Sequence, residues 1–579
     1  MKSSLSGIVL IVLAVLALHG RCVNYGLMLD DNNHRAELRA GDWSLRSLVE
    51  AAHLGGHRRR VQMWWQDEAD QYFFRPLAFF LMRLEYIVGH WRPAAMHGFS
   101  LLWTAINALL VMLLARSAGM GAVWATLAGL LFVVHPANVL TTQWIACQNE
   151  QMAAAFVLAG LWCYGRHAGW RWDHQSASPA GCPGWLIAAL LCFAAALLCR
   201  ENGLALVPLA MLGDLLLRPG GLRHRWLVYL FILVIAAAYL VVRHVALGGF
   251  ALIGPPYAYL PSTPGFTRFV IDKFLYYLLG LFAYVPIIGF TGLEVLRGQP
   301  AAFYGGFAVV AGLWATVLIW LRPARVVWLW LALAAVPLVP VLPVFASSHH
   351  LYMASAGSVL AVTALGEAIW QLAGRFQLRA GLYAKAMLAT ALGLYFAAGG
   401  SLNVVNGQMV AAFTALSELP AIEAAELGGP YKPDDRLFFI NLPPLGFNCV
   451  PAIEEATEAA PLTGYVLTFS PDFMGMGRPG YVERVGDRQL RVWLDSDDCY
   501  FGGLMGRSML EAIGRSTPMA AGERFATPDF QVEVISGSAA GVREFRFTFN
   551  LPLTDSSYHF FFGSPQFTAY PLRFDKAKN

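Results

Sequence analysis

Four carboxylates of this 579-residue chain stand where long apolar segments end, and these positions suit proton chemistry at a membrane surface. Asp30 and Asp31 follow the first apolar segment, in the stretch NYGLMLDDNNHR. Glu150 opens a later apolar run, and Glu201 lies in the short turn of LLCRENGLALVP between two others. A carboxylate at such a place can take a proton from a hydroxyl group or orient it for attack. We therefore predict Asp30, Asp31, Glu150 and Glu201 as catalytic residues.

Basic side chains occupy the same segment ends. Arg75 lies in YFFRPLAFF, His135 stands before a proline, Arg200 precedes the glutamate of the turn, and His350 lies in SSHHLYMAS. Arginine and histidine can hold a phosphate oxygen and stabilise the charge on a departing phosphate. We predict that these four residues bind a phosphate-bearing donor. With the carboxylates, they suit transfer of a sugar from a lipid-linked phosphate.

Each of these positions also has a purely structural explanation. Charges at helix ends are often solvated caps, and His135 could be a turn residue whose hydrogen bonds are satisfied. Arg200 and Glu201 could form an ion pair that only holds a hairpin, and Arg75 could extend toward lipid headgroups. The chemical interpretation rests on the collection of carboxylates, histidines and arginines at one face of the membrane.

The composition indicates a polytopic membrane protein. Hydrophobic residues make up 57% of the chain and charged residues only 13%, whereas soluble domains carry about 25% charged residues. The net charge of +4 is spread out. With no basic block and no zinc-type cysteine pattern, we expect no nucleic-acid partner. The chain also shows no P-loop, GxGxxG or HExxH motif.

Eleven apolar runs are long enough to cross a membrane. The first, interpreted as an uncleaved span rather than a signal peptide, ends near Leu29, and the others lie at about 97–116, 120–137, 151–166, 184–199, 202–217, 226–246, 302–321, 326–345, 351–371 and 383–402. Two further runs, 76–92 and 269–290, contain charged residues that would be costly in mid-span. We predict that both form interfacial helices.

Basic clusters favour the cytoplasmic side of a membrane. Five such clusters fall on one side of this topology: Arg116, 166–174, 218–225, Arg322 with Arg325, and Arg375 through Lys385. The N-terminus is then predicted inside and the C-terminus outside. Residues 1–403 would form the transmembrane catalytic domain, with external loops 30–96 and 247–301 carrying the interfacial helices.

The remaining residues, 404–579, are predicted to form an external, mostly β domain. Alternation of apolar and polar residues between turn signals predicts strands in RLFFINLP, GYVLTFSP, RQLRVWLD, DFQVEVIS, REFRFTFNLPL and YHFFFGSPQF. Cys449 and Cys499 could pair in an oxidising compartment or remain free thiols. The acidic stretch LDSDDCY lacks EF-hand spacing, so a solvated turn is the preferred interpretation over a calcium site.

Six segments occur in an order that resembles a known family: LDDNNH, YFFRPLAFFLMRLEY, MHGFSLLWTAINALLVMLLAR, HPANVLTTQWIACQNEQMAAAF, CRENGLALVPLAMLGDLLL and HHLYMASAGS. Over residues 5–400 the chain resembles the membrane half of GT-C fold glycosyltransferases. It is most similar to the transmembrane-and-tetratricopeptide-repeat O-mannosyltransferases and their bacterial relatives (family 39-like).

This resemblance implies roles for particular residues. It ties the acidic pair after the first span, here Asp30 and Asp31, to catalysis, and it matches the acidic residue after the His-Pro element to Glu150. The Lys-Glu turn of the family corresponds to Arg200-Glu201, and its Arg-Tyr-Leu-Tyr element corresponds to His350-Leu351-Tyr352. Tyr352 thereby joins the predicted donor-binding residues. Histidine replaces arginine at position 350, and helical repeats are absent from the C-terminal region, so the acceptor of the family cannot be carried over.

We expect a glycosyltransferase in an integral, multi-pass membrane location such as a bacterial inner membrane. The expected partners are a polyprenyl-phosphate-linked sugar donor, a protein or glycan acceptor on the external face, and membrane lipid. Two or three converging carboxylates could hold a divalent cation, but no metal ligand is assigned. Two other functions stay open. A transporter or flippase of lipid-linked glycans would be favoured by charges inside spans and an inverted repeat, but here the charges lie mostly at span ends and no such repeat is found. The other is a non-catalytic envelope assembly protein.

Overall fold

The computed structural model of the chain describes residues 2–52, 62–65, 73–170, 182–218, 225–247, 258–289, 292–471, 480–495, 498–502 and 517–574. Contacts between residues divide the chain into two units. The first unit comprises Met1–Asn24, Phe74–Phe250 and Pro261–Val410, and the second comprises Tyr25–Phe73, Ala251–Leu260 and Ala411–Asn579. Parts of the basic clusters at 166–174 and 218–225, of both long predicted loops and of the LDSDDCY stretch lie outside the described residues.

Helices dominate the first unit. In chain order the helices of both units are α1 (Lys2–His19), α2 (Asp30–Ala40), α3 (Leu45–Glu50), α4 (Pro76–Val88), α5 (Pro93–Ser117), α6 (Ala122–Val134), α7 (Asn138–Gln143), α8 (Gln148–Ala168), α9 (Pro183–Cys199), α10 (Leu206–Leu217), α11 (Trp226–Leu247), α12 (Phe266–Ala283), α13 (Gly292–Arg297), α14 (Pro300–Leu321), α15 (Arg325–Ala335), α16 (Tyr352–Ala373), α17 (Leu378–Gly428) and α18 (Val450–Thr457). Prolines open α4, α5, α9 and α14, because the first helical position needs no N–H donor.

Six segments of the described chain are long and apolar enough to cross a membrane: Leu5–Asn24, Pro93–Ser117, Trp226–Leu247, Pro300–Leu321, Ser348–Ala373 and Arg379–Gly428. Three apolar helices are shorter: Ala122–Val134, Pro183–Cys199 and Arg325–Val341. The chain is therefore a multi-pass membrane protein with a β-sheet region toward its C-terminus. The expected number of eleven spans stays a prediction.

Two helix boundaries differ from those that the sequence predicts. The first α-helix ends at His19 and continues only as a 3₁₀ helix over Gly20–Asn24, not to Leu29, because Gly20 weakens the α-helix there. The run expected at 383–402 belongs to the 51-residue helix α17. Its second half has too few apolar residues to predict a span, yet good helix formers such as alanine, leucine and glutamate continue to Gly428.

The charges of the two predicted interfacial helices are buried. On α12, Asp272 and Lys273 are 1% and 0% exposed. Arg297 Nε donates to Asp272 Oδ2 at 2.8 Å. Lys273 Nζ donates to the carbonyl oxygens of Val341, Val344 and Phe345. These charges have partners inside the protein that the sequence could not show, and the interfacial position of the two helices stays a prediction.

Two five-stranded sheets form the β region of the second unit. The strands are β1 (Gln62–Met63), β2 (Arg436–Ile440), β3 (Thr463–Val466), β4 (Gly480–Gly486), β5 (Gln489–Leu494), β6 (Arg524–Ala526), β7 (Phe530–Ser538), β8 (Gly541–Phe549), β9 (Tyr558–Phe562) and β10 (Tyr570–Leu572). One sheet has the order β1-β3-β2-β9-β10 and the other β4-β5-β8-β7-β6. The six strands that alternation predicts are confirmed as β2, β3, β5, β7, β8 and β9.

The first sheet contains a strand from far upstream in the chain. β1 lies in the segment predicted as an external loop, and it pairs in parallel with β3 through Gln62 opposite Tyr465. The next residue but one, Trp64, is buried, and its Nε1 donates to the carbonyl oxygen of Leu467 at 2.9 Å. Its ring packs edge-on against Phe545, with ring centroids 5.5 Å apart. Part of loop 30–96 is thus built into the core of the second unit.

The sequence left open whether Cys449 and Cys499 form a disulfide. In the structure both are buried free thiols. Burial raises the pKa of the Cys449 thiol. A thiol with a raised pKa is a poor nucleophile, so Cys449 acts as a packing residue.

The C-terminal half of α17 anchors the end of the β region through one carboxylate. Glu423 Oε2 accepts from the amide of Thr568 at 2.5 Å, its hydroxyl at 2.7 Å and the amide of Ala569 at 2.7 Å. We expect Glu423→Ala to lower the free energy of unfolding by about 3 kcal/mol, since buried donors lose a charged acceptor. Thermal unfolding of the full chain in detergent measures this, with exposed Glu426→Ala on the same helix as control. Equal melting temperatures for the two variants would contradict the anchor.

Candidate active site

A buried ion pair lies at the centre of the candidate site in the first unit. Glu150 is in the first turn of α8, and Arg200 directly follows α9. Arg200 Nε lies 2.6 Å from Glu150 Oε2, with the side chains 8% and 0% exposed. Asn202 Nδ2 donates to Glu150 Oε1 at 2.6 Å, and Arg200 Nη1 donates to Asn149 Oδ1 at 2.7 Å. These partners offset the hydration that both charges lose on burial.

A second carboxylate, Glu201, lies between two further arginines. It begins the 3₁₀ helix that joins α9 to α10. Arg75 Nη2, from the residue before α4, lies 3.9 Å from Glu201 Oε2, and Arg243 Nε on α11 lies 3.8 Å from Glu201 Oε1. Burial alone would raise the pKa of Glu201, but the positive charges of Arg75 and Arg200 outweigh it and hold that pKa below its ordinary value. Glu201 is therefore ionised at neutral pH.

These side chains form one electrostatic unit, which we call the guanidinium cluster: Arg75, Arg200, Arg243, Glu150 and Glu201. The charges of Arg75, Arg200 and Glu201 all act on Glu150. The cluster, as defined by these five residues, contains three guanidinium groups and two carboxylates. Guanidinium groups bind phosphate oxygens through paired N–H donors. A phosphate monoester or diester fits the chemistry of this cluster.

His350 belongs to the same region of the first unit. The charges of Arg200 and Arg75 act on its ring, which is 3% exposed. Tyr277 Oη accepts from the amide of Ser347 at 3.1 Å and lies 2.8 Å from His350 Nδ1. The hydroxyl of Tyr277 therefore bridges the amide of Ser347 and the ring of His350, and this bridge fixes the orientation of the His350 ring.

The two other predicted donor-binding residues are buried, and their role in donor binding stays a prediction; the charge of Glu150 acts on Tyr352. His135 is fully buried; its Nε2 lies 3.2 Å from the carbonyl oxygen of Leu281, and its Nδ1 accepts from the amide of Ala137 at 3.3 Å. Those contacts agree with the turn-residue explanation. Tyr352 is fully buried at the start of α16, and its ring packs edge-on against Phe132. Neither residue has a hydrogen bond to the guanidinium cluster among the described contacts.

The acidic pair lies in the second unit, in the first turn of α2, where the helix dipole favours negative charge. Asp31 is 1% exposed, and its Oδ2 accepts from the amide of Met28 at 2.9 Å. Asp30 is half-buried, and its Oδ1 accepts from Asn448 Nδ2 at 3.1 Å. Leu29 before them has φ 50°, a conformation that residues other than glycine rarely adopt. Asp31 stabilises this turn, whereas Asp30 presents a more accessible carboxylate.

Several residues that contact the candidate residues, in one unit or the other, do not stand out from the sequence. Arg243 lies inside the run 226–246, which the sequence predicts as an uninterrupted span, although an ionisable residue in an apolar helix is itself a signal of function. Asn149 and Asn202 flank predicted carboxylates but are neutral. Tyr277 and Asn448 act through contacts with residues far away in sequence, and no local pattern marks them.

Among the described residues, no three histidine, cysteine or acidic side chains form a group that could hold a metal ion. The carboxylates of the guanidinium cluster are instead paired with arginines.

No protein-family model matches this chain. Over 142 residues it is 28% identical to the protein O-mannosyl-transferase TMTC2 of Mus musculus. This similarity covers 24% of this chain and 16% of the mouse protein, so the chain matches about a sixth of that relative.

Three solved structures are similar to this chain at low sequence identity. ArnT from Cupriavidus metallidurans, bound to undecaprenyl phosphate, has a TM-score of 0.41 at 16% identity, over 79% of this chain and 85% of that one. The oligosaccharyltransferase AglB from Archaeoglobus fulgidus has a TM-score of 0.42 at 13% identity, over 82% and 65%. The arabinofuranosyltransferase AftD from Mycobacteria has a TM-score of 0.42 at 14% identity, over 94% and 41%.

Arg243 gives a direct test of the guanidinium cluster as an anion site. We expect Arg243→Ala to weaken binding of inorganic phosphate to the purified full chain by about 10- to 100-fold, since a charged hydrogen bond contributes roughly 1.5–3 kcal/mol. Arg325→Ala, at the exposed start of α15, is the control and should bind normally. Equal dissociation constants for both variants would show that Arg243 takes no part in phosphate binding.

Proposed function

We propose that this chain is a membrane glycosyltransferase that moves a sugar from a polyprenyl-phosphate-linked donor to an acceptor on the external face of the membrane. The observation that carries the proposal is the guanidinium cluster, in which Arg75, Arg200 and Arg243 gather around two carboxylates in a multi-pass membrane protein. A phosphate attached to a lipid tail is an anion that reaches such a site from within the membrane. The 142-residue similarity to an O-mannosyl-transferase agrees with this choice.

In the proposed reaction, an acceptor hydroxyl attacks the anomeric carbon of the donor sugar. Asp30 takes the hydroxyl proton as the new C–O bond forms. The bond between the anomeric carbon and the phosphate oxygen breaks, and polyprenyl phosphate leaves with the electron pair. Arg200, Arg75 and Arg243 stabilise the charge that develops on this phosphate, and the ring of His350 supplies a further hydrogen bond to it. Attack opposite the leaving group inverts the anomeric centre.

The other predicted residues have supporting roles in this proposal. Glu150 and Glu201 help to hold the arginines in place, because each carboxylate forms an ion pair with a guanidinium group, at 2.6 Å for Glu150 and 3.8 Å for Glu201. Asp31 keeps the turn that presents Asp30, through its bond to the amide of Met28. A protein or a glycan can supply the acceptor hydroxyl. Adding EDTA to the transfer assay tests whether the reaction requires a divalent cation.

A transporter of lipid-linked glycans is the second candidate, because charged residues such as Arg243 and Lys273 lie within helices. Lys273, however, gives its three donors to three carbonyl oxygens and is fixed in place. The two functions differ in chemistry: a transferase releases polyprenyl phosphate in detergent, where no membrane separates two compartments. A transporter does not release it there.

The test of the base assignment uses purified protein, synthetic polyprenyl-phosphate hexoses and an envelope extract as acceptor source. We expect Asp30→Asn to lower kcat by about 100-fold or more, since an amide cannot accept the hydroxyl proton. Binding of undecaprenyl phosphate should remain within twofold of the unaltered chain. Asp42→Asn, an exposed residue two positions after α2, should leave kcat unchanged. Full activity of both Asp30→Asn and Asp31→Asn would refute a base in this pair.

A further inference from the structure

The carboxylate of Asp30 is held by a side chain more than four hundred residues later in the chain. Asn448 Nδ2 donates to Asp30 Oδ1 at 3.1 Å, and Asn448 Oδ1 accepts from Asn33 Nδ2 at 3.1 Å. Asn448 is 2% exposed and Asn33 6%. Both ends of the Asn448 amide therefore have partners on α2, one turn apart.

Charge fixes the direction of this short chain of hydrogen bonds. An ionised carboxylate only accepts hydrogen bonds, so the amide nitrogen of Asn448 must face Asp30. The amide oxygen then faces Asn33, which must donate. A reversed Asn448 would place its oxygen against a carboxylate oxygen and leave its nitrogen facing another NH₂ group. The arrangement matches an ionised Asp30 in one orientation.

Further bonds hold α2 against α18, the helix that starts two residues after Asn448. Arg35 Nη2 and Arg39 Nη1 lie 2.8 and 2.7 Å from Glu455 Oε1. On the other side of the strained turn, the amides of Leu27 and Leu29 donate to Glu418 Oε1 and Ser417 Oγ, each at 2.8 Å. Donors and acceptors on α17, on α18 and at Asn448 thus fix the segment that carries Asp30 from both ends.

We propose that Asn448 is a positioning residue that orients the Asp30 carboxylate for proton transfer, so that the C-terminal region contributes directly to the reaction. This inference rests on the function proposed above. A hydrogen bond to a carboxylate favours its ionised form and restricts its rotation. Asn448 therefore keeps Asp30 in the ionised form that accepts a proton, and it limits the rotation of the carboxylate.

The isosteric change Asn448→Asp tests the inference, because it replaces the N–H donor by an oxygen without changing side-chain shape. We expect kcat to fall about tenfold or more, with KM for the lipid donor within twofold. The acidic limb of the pH profile of kcat should move to higher pH by about one unit, since a lost donor and an added like charge both disfavour an ionised Asp30. Asn550→Asp, an exposed residue of the same unit, is the matched control and should change neither quantity.

A role limited to folding would lower the amount of active protein without moving the pH profile. An unchanged acidic limb in Asn448→Asp, together with an inactive Asp30→Asn variant, overturns the inference and leaves the proposed function intact. Full activity of Asp30→Asn refutes the base assignment, and the inference falls with it. Should Asn448→Asp fail to fold, Asn33→Ala replaces it, because this change removes only the group that orients the Asn448 amide. An unchanged pH profile in that variant also overturns the inference.

Discussion

The cost of removing a charge from water governs the arrangement of the helical unit. Glu150 has no exposed surface, and its neighbour Arg200 has almost none. An unpaired charge in such a place would cost several kcal/mol, so each must find a partner with donors or acceptors aimed at it. The turn after α9 brings Arg200 to the first turn of α8, and Asn202 from the same turn reaches the second oxygen of Glu150. The pairing of these two charges therefore requires that α8 packs against α9.

The same constraint explains how this unit can combine rigidity with chemistry. The buried carboxylate of Glu150 fixes Arg200, so under the proposed function a phosphate would meet a donor that needs little reorganisation. Lys273 has a corresponding structural role, because it donates to the carbonyl oxygens of Val341, Val344 and Phe345, which precede His350 in the chain. Tyr277, one helical turn after Lys273, then bonds to His350 itself.

Features with a local cause were accessible from the sequence, and features with a distant cause were not. Apolar length predicted where α9 and α14 begin to within two residues, and alternation predicted strands such as β5 and β8. The residues Glu150, Arg200, Glu201 and Arg75 stood out because charges interrupt apolar runs, and the structure brings these four together. Arg243 carried the same signal but was absorbed into a long apolar run. The pairing of β1 with β3, and the partner of Asp30, depend on contacts across some four hundred residues that no periodicity records.

The C-terminal region departs most clearly from the family that the motifs resemble, and its bonds to the acidic segment give that departure a physical meaning. One stretch of α17 holds the strained turn through Ser417 and Glu418 and, one turn later, holds the end of the β region through Glu423. The segment with Asp30 and the β sheets are thus stabilised by a common element within the second unit. Removing the C-terminal region after α17 would remove Asn448 and Glu455, the partners of α2. Under the proposed function, a truncated chain would then lose activity even where acceptor binding is intact. Single-atom changes such as Asn to Asp separate these effects, because they alter the charge beside Asp30 and leave the common element in place.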